Sequence, residues 1–154
     1  MKIKLLTAND ILKLNNYINV APKDKFYCNN IIKEIILKNA ASVRNLIFEG
    51  NILCVAEIEN SNILKLLILH NPKDSEEKNY TLNVHSAYFD KEFIIESYKA
   101  LSQIYTFQKL KKLKLCLKKN EINSELEIEI KKTFKTEIEL PMENGDYLEM
   151  SFYL

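Results

Sequence analysis

Glycine is scarce in this chain, and its scarcity excludes several kinds of nucleotide site. The 154 residues include only Gly50 and Gly145, whereas average usage is about 7%. Phosphate-binding loops of the P-loop and Rossmann types place several glycines between a strand and a helix, because the backbone must approach the phosphates closely. Neither glycine lies at such a junction. The sequence therefore excludes both loops in their usual forms.

Other features that the sequence lacks narrow the class of protein further. Basic and acidic residues number 22 and 21, a net charge of +1, which disfavours a general nucleic-acid binder. No apolar run is long enough to span a bilayer, and no signal-like apolar segment lies near the N-terminus. The cysteines, Cys28, Cys54 and Cys116, fit no metal or redox motif. We expect a cytoplasmic protein with reduced thiols and without metal, nucleic-acid or membrane partners.

The residues that are present have the composition of a folded domain. Hydrophobic residues make up 47% of the chain and charged residues 28%, which is typical of globular proteins. A chain of this length can bury a real core. We therefore expect residues 1–154 to form a single domain.

Alternating apolar residues and turn residues predict the strands. The predicted strands are Lys2–Leu6, Val43–Phe48, Ile52–Ile58, Ile63–Leu69, Asn79–Tyr88, Leu110–Leu117, Thr136–Leu140 and Tyr147–Tyr153. Helical spacing of apolar residues predicts helices after Thr7–Asp10, at about 30–38, and at about 91–107. Gly50 supplies the turn of a hairpin between the second and third of these strands.

The segment from Glu125 to Phe134 fits two structures. Glu125–Ile130 alternates as a strand does, yet Leu126, Ile130 and Phe134 also form a helical stripe. Asn123 or Ser124 is a suitable N-cap for that helix. The local pattern alone leaves strand and helix open.

The most informative stretch is Leu82–Ile94, where a strand leads directly into a helix. Leu82 and Val84 lie on one face of the strand, and apolar residues recur at helical spacing from Ile94 onward. Asp90 is a suitable N-cap at the junction. The first amides of a helix have no internal partner, so a junction of this kind is a common place for an anion.

This stretch resembles the strand-loop-helix motif L-x-V-x-P-x-Y-R-G-x-G-I-G of the GNAT superfamily of acyl-coenzyme A-dependent N-acetyltransferases. The positions that agree are apolar or aromatic: Leu82, Val84, Tyr88 and Phe93. The positions that differ are those of the proline, the arginine and the three glycines: Ser86, Phe89, Asp90, Glu92 and Ile94.

The resemblance implies an α+β fold with a mixed, mostly antiparallel sheet of about seven strands, one splayed parallel pair, and helices on both faces. Asn79–Tyr88 and Leu110–Leu117 would form the parallel pair, joined by a right-handed crossover through the helix at about 91–107. The same element order favours a helix for residues 125–134. Ile63–Leu69 exceeds the usual number of strands, as either an added hairpin strand or part of a long bent one.

The resemblance also implies acetyl-CoA as a cosubstrate, with its pyrophosphate at the strand-to-helix junction and its thioester where the parallel strands splay near Val84. The residues at the implied cofactor-binding positions are Val84, Phe89, Asp90, Lys91, Glu92, Phe93, Ile94 and Asn120. His85 is a candidate general base, since an unperturbed imidazole titrates near pH 6.5. Glu57 is a second catalytic candidate, which would orient an amine or a water.

Two functions follow from these residues. The first is an N-acetyltransferase acting on an unidentified amine, of a small molecule or a protein, with a homodimer left open. The second is a GNAT-like binding or regulatory module that does not bind acetyl-CoA. The carboxylates of Asp90 and Glu92 favour the second function if they lie beside the pyrophosphate position, because like charges repel there. Alternatively, Asp90 caps the helix and Glu92 complements its dipole.

Overall fold

One mixed β-sheet organises the molecule. The computed structural model describes residues 2–29, 52–72, 75–143 and 145–154. The predicted helix at about 30–38, the strand Val43–Phe48 and the Gly50 turn lie outside these residues. The strands described are β1 (Ile3–Leu5), β2 (Phe26–Cys28), β3 (Ile52–Glu59), β4 (Asn62–His70), β5 (Thr81–Tyr88), β6 (Lys112–Lys118), β7 (Lys135–Leu140) and β8 (Tyr147–Phe152). The α-helices described are α1 (Ile11–Val20), α2 (Lys91–Ser102) and α3 (Ser124–Thr133).

The strand order is β1-β3-β4-β5-β6-β8-β7, with β2 paired separately to β5. Among the described strands, the β5–β6 pair is parallel, from Thr81 opposite Lys112 to Val84 opposite Leu115, and the other pairs are antiparallel. The α2 helix provides the crossover between the two parallel strands. The predicted α+β architecture and its parallel pair are therefore confirmed.

Helices cover both faces of the sheet, as predicted. On one face, Leu14, Tyr17 and Ile18 of α1 pack with alternate residues of β3 and β4. On the other face, apolar side chains of α2 and α3 pack with the intervening residues, and Phe93 and Ile94 are fully buried there. Full burial of a side chain of this size stabilises the fold by about 1.5–3 kcal/mol. The period-two pattern of the strands therefore separates two apolar layers.

Two ambiguities of the sequence are settled by local geometry. Ile63–Leu69 belongs to a separate strand, β4, which forms a hairpin with β3 through a turn with positive φ at Asn60 and Ser61. The segment after Asn123 is the helix α3, and the Asn123 side chain accepts a hydrogen bond from the Leu126 amide at 2.7 Å. Asn123, rather than Ser124, is thus the N-cap.

Two details of the predicted elements differ from the structure. The described sheet has eight strands, in agreement with the predicted sheet of about seven, and it includes the short strand β2, which was not predicted. The α2 helix ends at Ser102, since Ile104 adopts an extended backbone, and Tyr105 consequently lies on the surface instead of extending the apolar stripe. Within the described residues, no helix is long and apolar enough to cross a membrane.

Candidate functional site

The parallel strands β5 and β6 pair only as far as Val84 and Leu115. Beyond Val84, β4 pairs with one edge of β5, and β2 pairs with the edge that had faced β6. The backbone amide of Phe89 donates to the carbonyl of Lys25 at 2.8 Å, and the amide of Asn29 donates to the carbonyl of His85 at 3.0 Å. The chain therefore fills the β5 side of the divergence with its own strand.

Side chains also connect this segment to the far side of the divergence. The Tyr27 hydroxyl donates to the Glu121 carboxylate at 3.1 Å, and the Asn123 amide nitrogen donates to the Lys23 carbonyl at 3.3 Å. Burial, together with the neighbouring Glu121 carboxylate, raises the pKa of the Tyr27 hydroxyl far above its ordinary value, so it remains a donor. Residues 23–29, which we call the bridging segment, thus contact both β5 and the β6–α3 connection.

A cleft of about 340 Å³ lies beside the bridging segment. Its lining combines the end of α1, β2 and the start of α3: Ile18, Asn19, Ala21, Lys23, Phe26, Tyr27, Cys28, Glu121, Ile122, Asn123 and Leu126. The lining mixes apolar side chains with several polar ones, and concave sites with convergent polar groups can hold a small molecule. This cleft is the strongest candidate for a ligand site in the described part of the chain.

The N-terminus of α2, by contrast, is closed by Asp90. One carboxylate oxygen accepts hydrogen bonds from the amides of Glu92 at 3.0 Å and Phe93 at 3.4 Å. The other oxygen accepts one from Lys65 Nζ at 2.7 Å. Burial acts to raise the pKa of Asp90, but the hydrogen bonds from Lys65 and the amides hold it below its ordinary value. The Asp90 carboxylate therefore occupies the place of an external anion.

Glu57 belongs to the same group of charges. Its Oε2 lies 3.3 Å from Lys65 Nζ, an ion pair without hydrogen-bond geometry, and it has no hydrogen-bond partner among the described residues. Burial acts to lower the pKa of Lys65, yet the carboxylates of Asp90 and Glu57 raise it overall. We call Glu57, Lys65 and Asp90 the Lys65 cluster.

Several side chains at the implied cofactor-binding positions are part of the core. Phe89 is 1% exposed and packs edge-on against Phe134, with ring centroids 5.7 Å apart. Phe93, Ile94 and Val84 are buried as well. These four residues can offer a ligand only their backbone groups, and the amides of Phe89 and Phe93 already have partners.

The remaining implied cofactor residues are exposed and dispersed. Lys91 and Glu92 lie on the surface in the first turn of α2. Asn120 lies against Gly145 in the β7–β8 connection, where a Cβ on Gly145 would be 3.2 Å from the Asn120 side chain. Asn120 is not among the residues that line the cleft, whereas its neighbour Asn123 is.

His85 is the extra residue of a β-bulge, because Ser86 and Val84 are opposite the consecutive residues Ile68 and Leu69. Its ring centroid lies 5.6 Å from that of His70. Burial, with a further contribution from His70, lowers the pKa of His85 to about 4, so its imidazole is neutral at physiological pH.

The structure does not bring the two predicted catalytic residues together. Glu57 is opposite Lys65 on β4, whereas His85 is beside Ile68 and Leu69. Three to four residues along a strand correspond to about 10–13 Å. His85 and Glu57 therefore cannot act as a directly hydrogen-bonded pair in this arrangement.

Sequence reasoning missed Lys65 and Tyr27. Lys65 interrupts the apolar run of β4. A partly buried lysine in such a run needs a charged partner, and this was the signal in the sequence that could have identified it. Tyr27 lies in the three-residue strand β2, which is too short for alternation to be recognised. Glu121 was also missed, because its contact with Tyr27 joins residues far apart in sequence.

The residues at the α2 N-terminus do not fit the diphosphate of a coenzyme. The Asp90 carboxylate already accepts from two amides and from Lys65. The β5 edge beside it is hydrogen-bonded to the bridging segment. A metal ion has no evident place either, since no group of three or more His, Cys, Asp or Glu side chains in the described ranges is arranged to hold one.

No family model matches the sequence, and no curated protein matches it. Solved structures do share its fold. An acetyltransferase of the GNAT family from Streptococcus pneumoniae is 13% identical with a TM-score of 0.68, covering 99% of this chain and 98% of that one. A variant of spermidine N-acetyltransferase from Vibrio cholerae is 13% identical with a TM-score of 0.65, covering 99% and 92%.

A third similar structure is PaiA N-acetyltransferase from Thermoplasma acidophilum, solved in complex with coenzyme A. It is 14% identical with a TM-score of 0.60, and the match covers 100% of both chains. At these identities the similarity establishes the fold. The chain has the GNAT fold.

Proposed function

We propose that this chain is an N-acyltransferase of the GNAT type, which transfers an acetyl group from acetyl-CoA to the amine of a small molecule or a protein. The observation that carries the proposal is the cleft of about 340 Å³, which lies beside the point where β5 and β6 diverge after Val84 and Leu115. Acetyltransferases of the same fold, one of them with coenzyme A, support this assignment.

Within this proposal, the cleft beside β2 receives the amine. The Glu121 carboxylate and the Asn123 side chain are polar groups in its lining. His85 remains the proposed general base and Glu57 its alternative. The lowered pKa of His85 keeps its imidazole unprotonated at physiological pH, and it also makes the imidazole a weaker base than an unperturbed histidine. It adjoins Ser86, whose hydroxyl lies 3.2 Å from the sulfur of Cys28 in the cleft lining.

A second candidate function is a GNAT-fold binding or regulatory module that does not bind acetyl-CoA. The specific observation that favours it is the closed N-terminus of α2, where Asp90 and Lys65 already satisfy the groups that would bind an anion. A module of this kind would retain the cleft for another ligand.

Reduced cysteines outside any disulfide are compatible with a cytoplasmic location for either function.

An acyl-transfer assay separates the two functions. The protein is incubated with acetyl-CoA and a panel of amines that includes polyamines, amino acids and peptides, and the released thiol is measured. We expect release that depends on both the protein and an amine. His85→Gln should lower kcat by at least about tenfold if His85 is the base, since general-base catalysis contributes roughly 10²–10⁴-fold.

The matched control is His70→Gln, which removes the neighbouring imidazole, 5.6 Å away, and should leave kcat within about threefold. If no amine gives thiol release, the transferase proposal is wrong. If calorimetry also detects no heat with acetyl-CoA, the binding module replaces it. Equal losses in the two variants would reject His85 as the base.

A further inference from the structure

The N-terminus of α2 has the components of an anion site, and the chain supplies the anion itself. The amides of Glu92 and Phe93 point toward a carboxylate oxygen of Asp90, and the Lys65 ammonium donates to the other oxygen at 2.7 Å. Helix amides together with a lysine are the groups that commonly bind phosphate. Asp90 therefore competes directly with any external anion for all three donors.

We propose that Asp90 is a specificity-determining residue that excludes nucleotide diphosphates from the α2 N-terminus, so that an acyl donor gains no affinity from its nucleotide. This inference rests on the proposed acyltransferase function. It concerns which part of the donor contributes to binding.

The charges of the Lys65 cluster oppose a diphosphate even before any contact is made. The cluster holds one cation between two carboxylates, with Lys65 Nζ 2.7 Å from Asp90 and 3.3 Å from Glu57. Its net charge is negative, and a diphosphate is negative too. At a partly buried site, like charges at contact distance repel strongly. Lys65 is therefore unable to act as a free counter-ion.

The backbone amides of Phe89 and Ile94 offer no alternative anchor. The amide of the preceding residue, Phe89, donates to the Lys25 carbonyl at 2.8 Å, and the Ile94 amide is bonded within α2 to the Asp90 carbonyl at 3.0 Å. Phe89, which occupies the position of the motif's arginine, has its side chain in the core. Phe89 and Ile94 thus leave the diphosphate without a donor, and the nearest cation in sequence that is not bound to Asp90 is the exposed Lys91.

The decisive variant is Asp90→Asn, because asparagine is as good an N-cap as aspartate. The substitution keeps the cap, removes the negative charge and releases Lys65 from its closest partner. Binding is measured by calorimetry at low salt with two probes, coenzyme A and pantetheine. For the natural protein, we expect the two dissociation constants to agree within about threefold, since the nucleotide adds no favourable contact.

In Asp90→Asn, the affinity for coenzyme A should rise at least about tenfold while the affinity for pantetheine stays unchanged, because only the former carries a diphosphate. Adding Lys65→Gln should abolish most of that gain. The control is Glu96→Gln, which makes the same change of charge on the exposed face of α2, where Glu96 pairs with Lys99 at 3.5 Å. It should leave both affinities unchanged.

Three results would overturn the inference. One is tight binding of coenzyme A but not of pantetheine by the natural protein. Another is an Asp90→Asn variant that is folded by circular dichroism yet binds coenzyme A no better, which would make Asp90 a helix cap only. The third is the absence of binding by every variant. None of these readouts requires turnover, so a failed transfer assay with a positive binding result would reject the proposed function alone.

Discussion

The two parallel strands each lead into a helix that begins with a capping Asp or Asn, and the two junctions differ in charge. At the β5–α2 junction, Asp90 caps with a carboxylate that is also bound to Lys65. At the β6–α3 junction, Asn123 caps with a neutral amide, whose nitrogen reaches the Lys23 carbonyl beside the cleft. The comparison shows that the same feature, a side-chain N-cap, gives a closed and charged junction at α2 and a neutral junction beside the cleft at α3.

The two junctions also differ in the interactions that stabilise them. Phe89 anchors the β5–α2 junction in the core. The β6–α3 junction passes through the exposed turn Lys119–Glu121, and Lys119 forms an ion pair with Glu139 at 2.9 Å on the surface. Exposed ion pairs contribute about 0–1 kcal/mol each, far less than a buried aromatic ring. The α2 end should therefore be the more stable of the two.

The largest expected effect tests this difference in anchoring. Phe89→Ala should lower the free energy of unfolding by about 3–5 kcal/mol, because it removes a buried ring that packs on Phe134. Ile122→Ala is the matched truncation at the other junction, where the side chain is only partly buried, and should cost about half as much or less. Chemical denaturation of both variants measures the two values. Equal losses would contradict the proposed asymmetry.

A smaller expected effect is the pH dependence of stability that His85 causes. It tests whether water is excluded from β5 where it diverges from β6. Burial lowers the pKa of His85 to about 4 in the folded protein, against about 6.5 unfolded. Below pH 6.5 the unfolded chain binds the extra proton, so stability should fall from pH 6.5 down to about pH 4 and then level. The loss should reach roughly 2.5 kcal/mol by pH 4.5. His85→Gln should flatten this part of the stability–pH curve; an unchanged slope would mean that the imidazole is hydrated.

The smallest effect compares the caps themselves. Asp90→Ala and Asn123→Ala should each destabilise the protein by about 1 kcal/mol, because each leaves helix amides without an acceptor. Part of the Asp90 loss comes from its ion pair with Lys65, so that loss should shrink in 1 M salt, whereas the Asn123 loss should not. Thermal melts of the two variants at low and high salt check this. The same salt response at both sites would remove the distinction between the junctions.

The crossover was predictable because its signals are local and repeated. Strand alternation before Tyr88 and helical spacing after Asp90 are both visible in the sequence, and Asp90 was predicted as the N-cap. The Lys65 partner of Asp90 was not predictable, because it depends on the register between β4 and β5. A three-residue strand such as β2 leaves no periodicity to detect. The contacts of the candidate site depend on these long-range pairings. The sequence therefore indicated where in the fold the site lies, but not which side chains meet there.

The bridging segment has a mechanical consequence for the sheet. Among the described residues, the parallel ladder between the half made of β1, β3, β4 and β5 and the half made of β6, β8 and β7 has four residue pairs, from Thr81–Lys112 to Val84–Leu115. The bridging segment, residues 23–29, also connects the two halves. It is hydrogen-bonded to β5 on one side and to Glu121 and Asn123 on the other. If the two halves were pulled apart from the end where β5 and β6 diverge, the hydrogen bonds of the bridging segment would therefore break before those of the parallel β5–β6 pairs.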